Sequence, residues 1–128
     1  MVRIVLDASA ILAVINSEPG ADTLTPTLLA SAAASTVNLA EVQSKLVSRG
    51  WTSEEAWEDA TSPLREIFLF DEQQARIAGD LVAQTRPIGL SLGDRACLAL
   101  GVALKLPIYT AEKAWKKLKL GVPIHVIR

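Results

Sequence analysis

Apolar and polar positions along the chain alternate between two periods. Val2 to Leu6 is short, β-branched and almost wholly apolar, the pattern of a strand buried on both faces. Asp7 ends it, and Ala8 to Ile15 reads as a helix with Asp7 or Ser9 near its cap. After a turn at Glu18 to Gly20, a helix is expected through Leu24 to Ala30, then a small strand over Ala33 to Val37. Leu39, Val42, Leu46 and Val47 fall at helical spacing within Asn38 to Ser48, and Gly50 ends that element. Thr52 with Glu55 forms a capping-box opening for a helix that stops before Pro63. Ile67 to Phe70 predicts a strand and Glu72 to Gln84 an amphipathic helix. Beyond the loop Arg86 to Leu90, a strongly apolar helix runs from Ser91 to about Leu104. A strand at Pro107 to Thr110, a helix at Ala111 to Leu118 and a strand at Pro123 to Ile127 complete the pattern. Short apolar strands alternating with helices predict an α/β fold with a largely parallel sheet. No repeat or linker divides the chain, so a single domain over residues 1–128 is expected.

Charge and cysteine usage narrow the function classes. Thirteen basic residues against fourteen acidic ones leave a net charge of -1, which argues against a uniformly basic DNA-binding domain but not against a local basic patch. The one cysteine, Cys97, lies in an apolar stretch and is expected to be a small core residue; alone it makes neither an internal disulfide nor a cysteine-based zinc site. Asp7 interrupts the apolar start of the chain, and no apolar run reaches the roughly 20 residues that cross a bilayer. A cytoplasmic protein without membrane contact is expected. The one histidine, His125, falls in the last strand and reads as structural.

The candidate chemistry lies in carboxylates. Ten of the fourteen acids sit among polar neighbours, as solvated acids do. Asp7, Glu41, Asp94 and Glu112 instead fall in the first turn of an expected helix or just before it. Each has a plain structural explanation: Asp7 as a cap, Glu41 and Asp94 as capping-box partners of Asn38 and Ser91, Glu112 as a complement to a helix dipole. Topology favours something more. In a parallel α/β sheet the helices begin at the carboxyl edge of the strands, where such sheets place their sites. Four acids gathered there repel, by roughly 4 kcal/mol for two charges about 4 Å apart at an effective dielectric near 20. A helix N-terminus relieves only about 0.3–1 kcal/mol of that. A bound cation or retained protons must supply the rest. Oxygen donors without histidine or cysteine favour Mg²⁺ or Mn²⁺ over zinc.

Four stretches carry a family resemblance: Val5 to Ala13 around Asp7, Asn38 with Glu41, Leu90 to Ala99 around Asp94, and Tyr109 to Trp115 around Glu112. In order and spacing they resemble the successive acidic motifs of PIN-domain proteins, and in particular the VapC-type toxins of bacterial toxin–antitoxin modules. The resemblance spans nearly the whole chain. It implies a three-layer α/β/α domain and a Mg²⁺-dependent endoribonuclease, with Mn²⁺ as substitute, that cuts structured RNA such as tRNA. It further implies a homodimer and a cognate small antitoxin as partner. Carried onto this chain, it assigns Asp7, Glu41, Asp94 and Glu112 to the acidic metal site, Ser9 and Thr110 to the adjacent hydroxyls, and Asn38 to the polar residue opening the Glu41 motif. The fourth acid of the family is usually aspartate and here is glutamate, one methylene longer, which leaves open whether Glu112 ligates directly or through water.

RNA needs positive charge beside such a pocket. Lys113, Lys116, Lys117 and Lys119 begin next to Glu112 and read either as a phosphate track or as a solubilising face. Arg95, next to Asp94, reads as a phosphate contact or as a partner of a site carboxylate. Trp51 and Trp57 read as helix-hairpin packing or a partner groove. Two other classes compete with the nuclease. A PIN-like RNA- or protein-binding module without catalysis draws only on the Glu112 replacement. A phosphotransfer enzyme or receiver with Asp7 as nucleophile lacks the neighbouring second acid it needs, since Ser9 stands there.

Overall fold

A computed structural model describes residues 1–128. The strands are β1 (Ile4–Leu6), β2 (Ala32–Ser35), β3 (Glu66–Phe68), β4 (Ile108–Thr110) and β5 (Ile124–Val126). The helices are α1 (Ala8–Asn16), α2 (Pro26–Leu29), α3 (Thr36–Ser48), α4 (Ser53–Thr61), α5 (Glu72–Asp80), α6 (Val82–Thr85) and α7 (Leu92–Leu104). Every strand pair is parallel, in the order β3-β2-β1-β4-β5, with helices on both faces. The expected three-layer α/β/α architecture is the one observed.

The centre of the sheet explains the apolar run that opens the chain. Ile4, Val5 and Leu6 are all buried, and alternate residues serve opposite layers. Ile4 and Leu6 share a core cluster with Ile11 of α1, Leu39, Val42 and Leu46 of α3, and Ala56 and Ala60 of α4. Val5 faces the other way, toward Cys97, Leu98 and Leu100 of α7, Ile108 of β4 and the fully buried Trp115. Cys97 is the core residue expected, and burial pushes its thiol well up. No helix is long and apolar enough to cross a membrane.

Several boundaries differ from the sequence reading. The helix expected from Asn38 begins at Thr36, because Ser35, at the end of β2, caps it by accepting from the Val37 N–H. The helix expected through Gln84 breaks at Leu81, where the Thr85 hydroxyl donates back to the Leu81 carbonyl, an i−4 bond that bends helices. The helix expected over Leu24 to Ala30 shortens to α2, capped by Thr25 with Pro26 in its first turn. Ala111 to Leu118 is not an α-helix: Lys113–Lys117 forms a tight 3₁₀ stretch around Trp115, held by i→i+3 bonds from Trp115 and Leu118. Trp51 packs against the core, whereas Trp57 is 47% exposed.

Candidate active site

The strand order reverses between β1 and β4, and the crevice at such a switch point is where parallel sheets take their ligands. Asp7 stands at that point, immediately after β1. Its backbone N–H donates to the Tyr109 carbonyl of β4, and its carboxylate caps α1 by accepting from the Ala10 N–H at 2.8 Å. Two hydroxyls complete its surroundings. Thr110, the last residue of β4, donates to Oδ2 at 2.6 Å, and Ser9 donates to Oδ1 and Oδ2 at 2.8 and 2.9 Å. These hydroxyls are themselves fixed, Ser9 by the Ala111 N–H and Thr110 by the Glu112 N–H. Asp7 is only 2% exposed. Burial raises its pKa to about 6; the bonds from Thr110, Ala10 and Ser9 oppose that rise, and the Asp94 charge adds a little to it.

The second corner is built from helix ends. Ser91 caps α7, and the expected capping box is present: Asp94 N–H donates to Ser91 Oγ, and Ser91 N–H donates to Asp94 Oδ2. Glu41 is not the matching partner in a box opened by Asn38. It lies in the second turn of α3, because that helix starts earlier than its spacing implied. Asn38 is a buried clamp instead. Its Nδ2 donates to Glu41 Oε1 and to the Gly93 carbonyl, both at 3.0 Å, which ties α3 to the first turn of α7. Gly93 is the other half of that clamp, since a Cβ there would overlap the Glu41 carboxylate.

All four acids line one cleft of about 340 Å³. Glu112 stands exposed at its rim, just before the 3₁₀ stretch, and its side chain caps nothing. Ser9 lines the same cleft, and Thr110 and Asn38 reach it through the carboxylates they hold. Arg95 does not join them: its guanidinium donates to the Ala78 carbonyl of α5 at 2.9 Å, so its work is helix packing. Lys113 and Lys116 are exposed outside the cleft lining. His125 stacks on Tyr109 at 4.6 Å between ring centroids, the structural role expected. The cations that do line the cleft, Lys45, Arg49 and Arg128, were missed by the sequence reading. Glu41, Lys45 and Arg49 recur every four residues, a spacing that puts them on one helix face and was there to be read. Arg128 carried no such signal; it meets Glu18 only through tertiary packing, at 3.0 Å.

The donor set suits a hard divalent cation, because the acids at the cleft offer only oxygen. The Gly93 cradle brings the Glu41 carboxylate against the first turn that carries Asp94. As they stand, no three acidic, histidine or cysteine side chains are near enough together to share one ion. Asp7, Glu41 and Asp94 are the residues that would hold such an ion, since all three line the cleft.

Relatives are visible at the level of fold. Over 97% of both chains, the protein superposes with a TM-score of 0.73 and 22% identity on a chain of VapBC2 from Rickettsia felis, a complex bound to a DNA fragment from its promoter. A chain of the DNA-bound VapBC from Salmonella typhimurium matches over the full length of both with a TM-score of 0.78 at 17% identity. VapC20 of Mycobacterium tuberculosis, a toxin that cleaves the sarcin–ricin loop, matches with a TM-score of 0.74 at 16% identity, over 88% of this chain and 92% of its own. No curated protein sequence matches. The family model for the PIN domain aligns with residues 4–120, a span that holds both corners of the cleft and all four acids. By that match the chain belongs to the PIN domain family.

Proposed function

We propose that this protein is a divalent-metal-dependent endoribonuclease, the toxin of a VapBC-like toxin–antitoxin module, hydrolysing phosphodiester bonds in structured RNA such as tRNA. One observation carries the reading: four carboxylates from four separate segments line a single cleft at the switch point of a parallel sheet. Solved structures of the same fold add support, since one is a toxin that cleaves the sarcin–ricin loop and others are toxin–antitoxin complexes. A cognate small antitoxin, a homodimeric assembly and a cytoplasmic location belong to the same proposal.

Asp7 and Asp94 would hold a Mg²⁺ or Mn²⁺ ion, with Glu41 beside them, and Glu112 would support a second ion at the rim, directly or through water. Such an ion, when bound, would supply charge neutralisation at the phosphate and a more acidic water. The remaining work belongs to the protein. Thr110 and Ser9 fix the Asp7 carboxylate in one orientation, and their hydrogen bonds favour its charged form against the burial that opposes it. Asn38 fixes Glu41, which orients the attacking water and accepts its proton. The lysines from Lys113 onward extend positive charge beyond the Glu112 rim.

A non-catalytic PIN module is the competing reading, favoured by the spacing of acids that do not already share one ion. Purified protein incubated with total RNA decides between them, with Mg²⁺ or Mn²⁺, with EDTA, and beside Asp94→Asn. Discrete fragments that vanish with EDTA and in the variant are expected. Intact RNA under every condition, with antitoxin shown absent and RNA still bound, would transfer the case to the binding module.

A further inference from the structure

The cleft has a second side. Lys45, in the last turn of α3, and Arg49, the residue that caps its C-terminus, follow Glu41 at steps of four residues, about 6 Å of helix rise each. Both are exposed and both line the cleft with the four acids. The one ion pair in the whole molecule is Arg128 with Glu18, so neither Lys45 nor Arg49 is bonded to any of the carboxylates close by. Two long cations beside an acidic cluster, left unpaired, are available to an incoming anion.

Arg128 is held differently. Its Nη1 donates to Glu18 Oε1 at 3.0 Å and to the Pro19 carbonyl at 3.4 Å. Nε and Nη2 have no protein partner, which leaves one full edge of the guanidinium free for the two-pronged grip that arginine gives phosphate. The turn that presents Glu18 is fixed in place: Gly20 has φ +91°, and a Cβ there would overlap the Ile127 carbonyl. The Glu18 carboxylate is held below its usual range, first by the hydrogen bond from Arg128 and slightly by the Arg49 charge.

We infer that Lys45, Arg49 and Arg128 form a phosphate-binding bank that grips the backbone of an RNA strand on either side of the bond set among the acids, with Glu18 as the place-holder that a phosphate displaces from Arg128. The inference rests on the nuclease reading for its substrate class. It adds the residues that bind the strand, and they line the cleft itself, as the lysines at 113–119 do not. Glu18 makes the sign of one effect opposite to the others: a structural salt bridge would be neutral or helpful to binding, whereas a place-holder competes with the substrate.

The test reads binding, not cleavage. A fluorescein-labelled RNA oligonucleotide of mixed sequence is titrated with the full chain in EDTA across roughly 50–200 mM salt. Each lost phosphate contact lowers the slope of log affinity against log salt by about 0.7 for a single strand, so the Lys45→Ala, Arg49→Ala, Arg128→Ala triple variant is expected to lose about 2. Glu18→Gln is expected to tighten binding. Thermal melts of each variant report folding, and Arg49→Lys, which keeps the charge, is expected to keep the slope. An unchanged slope in a folded triple variant overturns the bank, as does a slope that falls only when Lys113 and Lys116 are replaced. Weaker or unaltered binding by Glu18→Gln overturns the place-holder. If the slopes fall as expected but no RNA is cut with Mn²⁺, the nuclease reading fails and the bank stands; cutting with unchanged slopes gives the reverse.

Discussion

Two corners of the same cleft hold their carboxylates by opposite means. At the β1–β4 corner, Asp7 is buried and surrounded by three donors whose own positions are fixed by backbone. At the α3–α7 corner, Glu41 and Asp94 are half-buried and oriented by a capping box and by Asn38, whose own Oδ1 is buried without a partner. The first corner is rigid and carries an electrostatic penalty. The second is only half-buried, and depends on two helices keeping their mutual position. A site divided this way should respond to substitution differently on its two sides.

The largest difference is expected from isosteric charge removal. Asp7→Asn should bring cleavage to background, as Asp94→Asn should, yet only Asp7→Asn should stabilise the fold. The Asp7 carboxyl has its pKa raised from 3.8 to about 6 by folding, so its protonated form favours the native state. That contribution is complete below about pH 4 and is lost as pH rises through about 6, a difference of about 3 kcal/mol at most. Urea denaturation in EDTA should therefore show Asp7→Asn more stable than the parent at pH 8 and matched to it at pH 4. Equal stability at both would mean that Asp7 is not the strained group described.

The next effect tests the α3–α7 corner. Gly93→Ala puts a methyl group where Glu41 lies and should lower both stability, by about 1–3 kcal/mol as overpacking does, and the cleavage rate. Activity should fall to that of Glu41→Gln if displacement of Glu41 is the cause. A smaller response is expected from Thr110→Val, which removes the 2.6 Å bond that favours ionised Asp7. The acid limb of the rate profile should move to higher pH, with the rate at pH 8 reduced less than in either aspartate variant. Smallest is Glu112→Asp, which restores the usual family length; cleavage should change by less than about tenfold, because a rim carboxylate is flexible and solvated.

The two corners were not equally legible in the sequence. Asp7 was readable because a buried strand must end at the sheet edge and the residue that follows it falls there. Asp94 was readable from Ser91, whose box is local. Glu41 was found, but placed a turn too early: Thr36 and Val37 are β-branched and extended the apparent strand over Ser35, which hid the real cap. Asn38 was assigned to a box, when its buried side chain reaches Gly93, 55 residues away. Arg95 was placed at the site from adjacency to Asp94, although successive helical residues face different sides. Local chemistry was visible; contacts between distant segments were not.

The Thr110 hydroxyl and the Asp7 carboxylate are separated by 103 residues of chain. β1 precedes its neighbours β2 and β4 in the chain, yet it occupies the middle of the sheet and stays unpaired on one side until β4 follows. During translation the growing chain therefore carries Asp7 without its partner hydroxyl and without the Glu112 rim, and a chain stalled before β4 has an incomplete cleft. For a protein whose proposed substrate is cellular RNA, that order of events delays the hazard until β4 has been made.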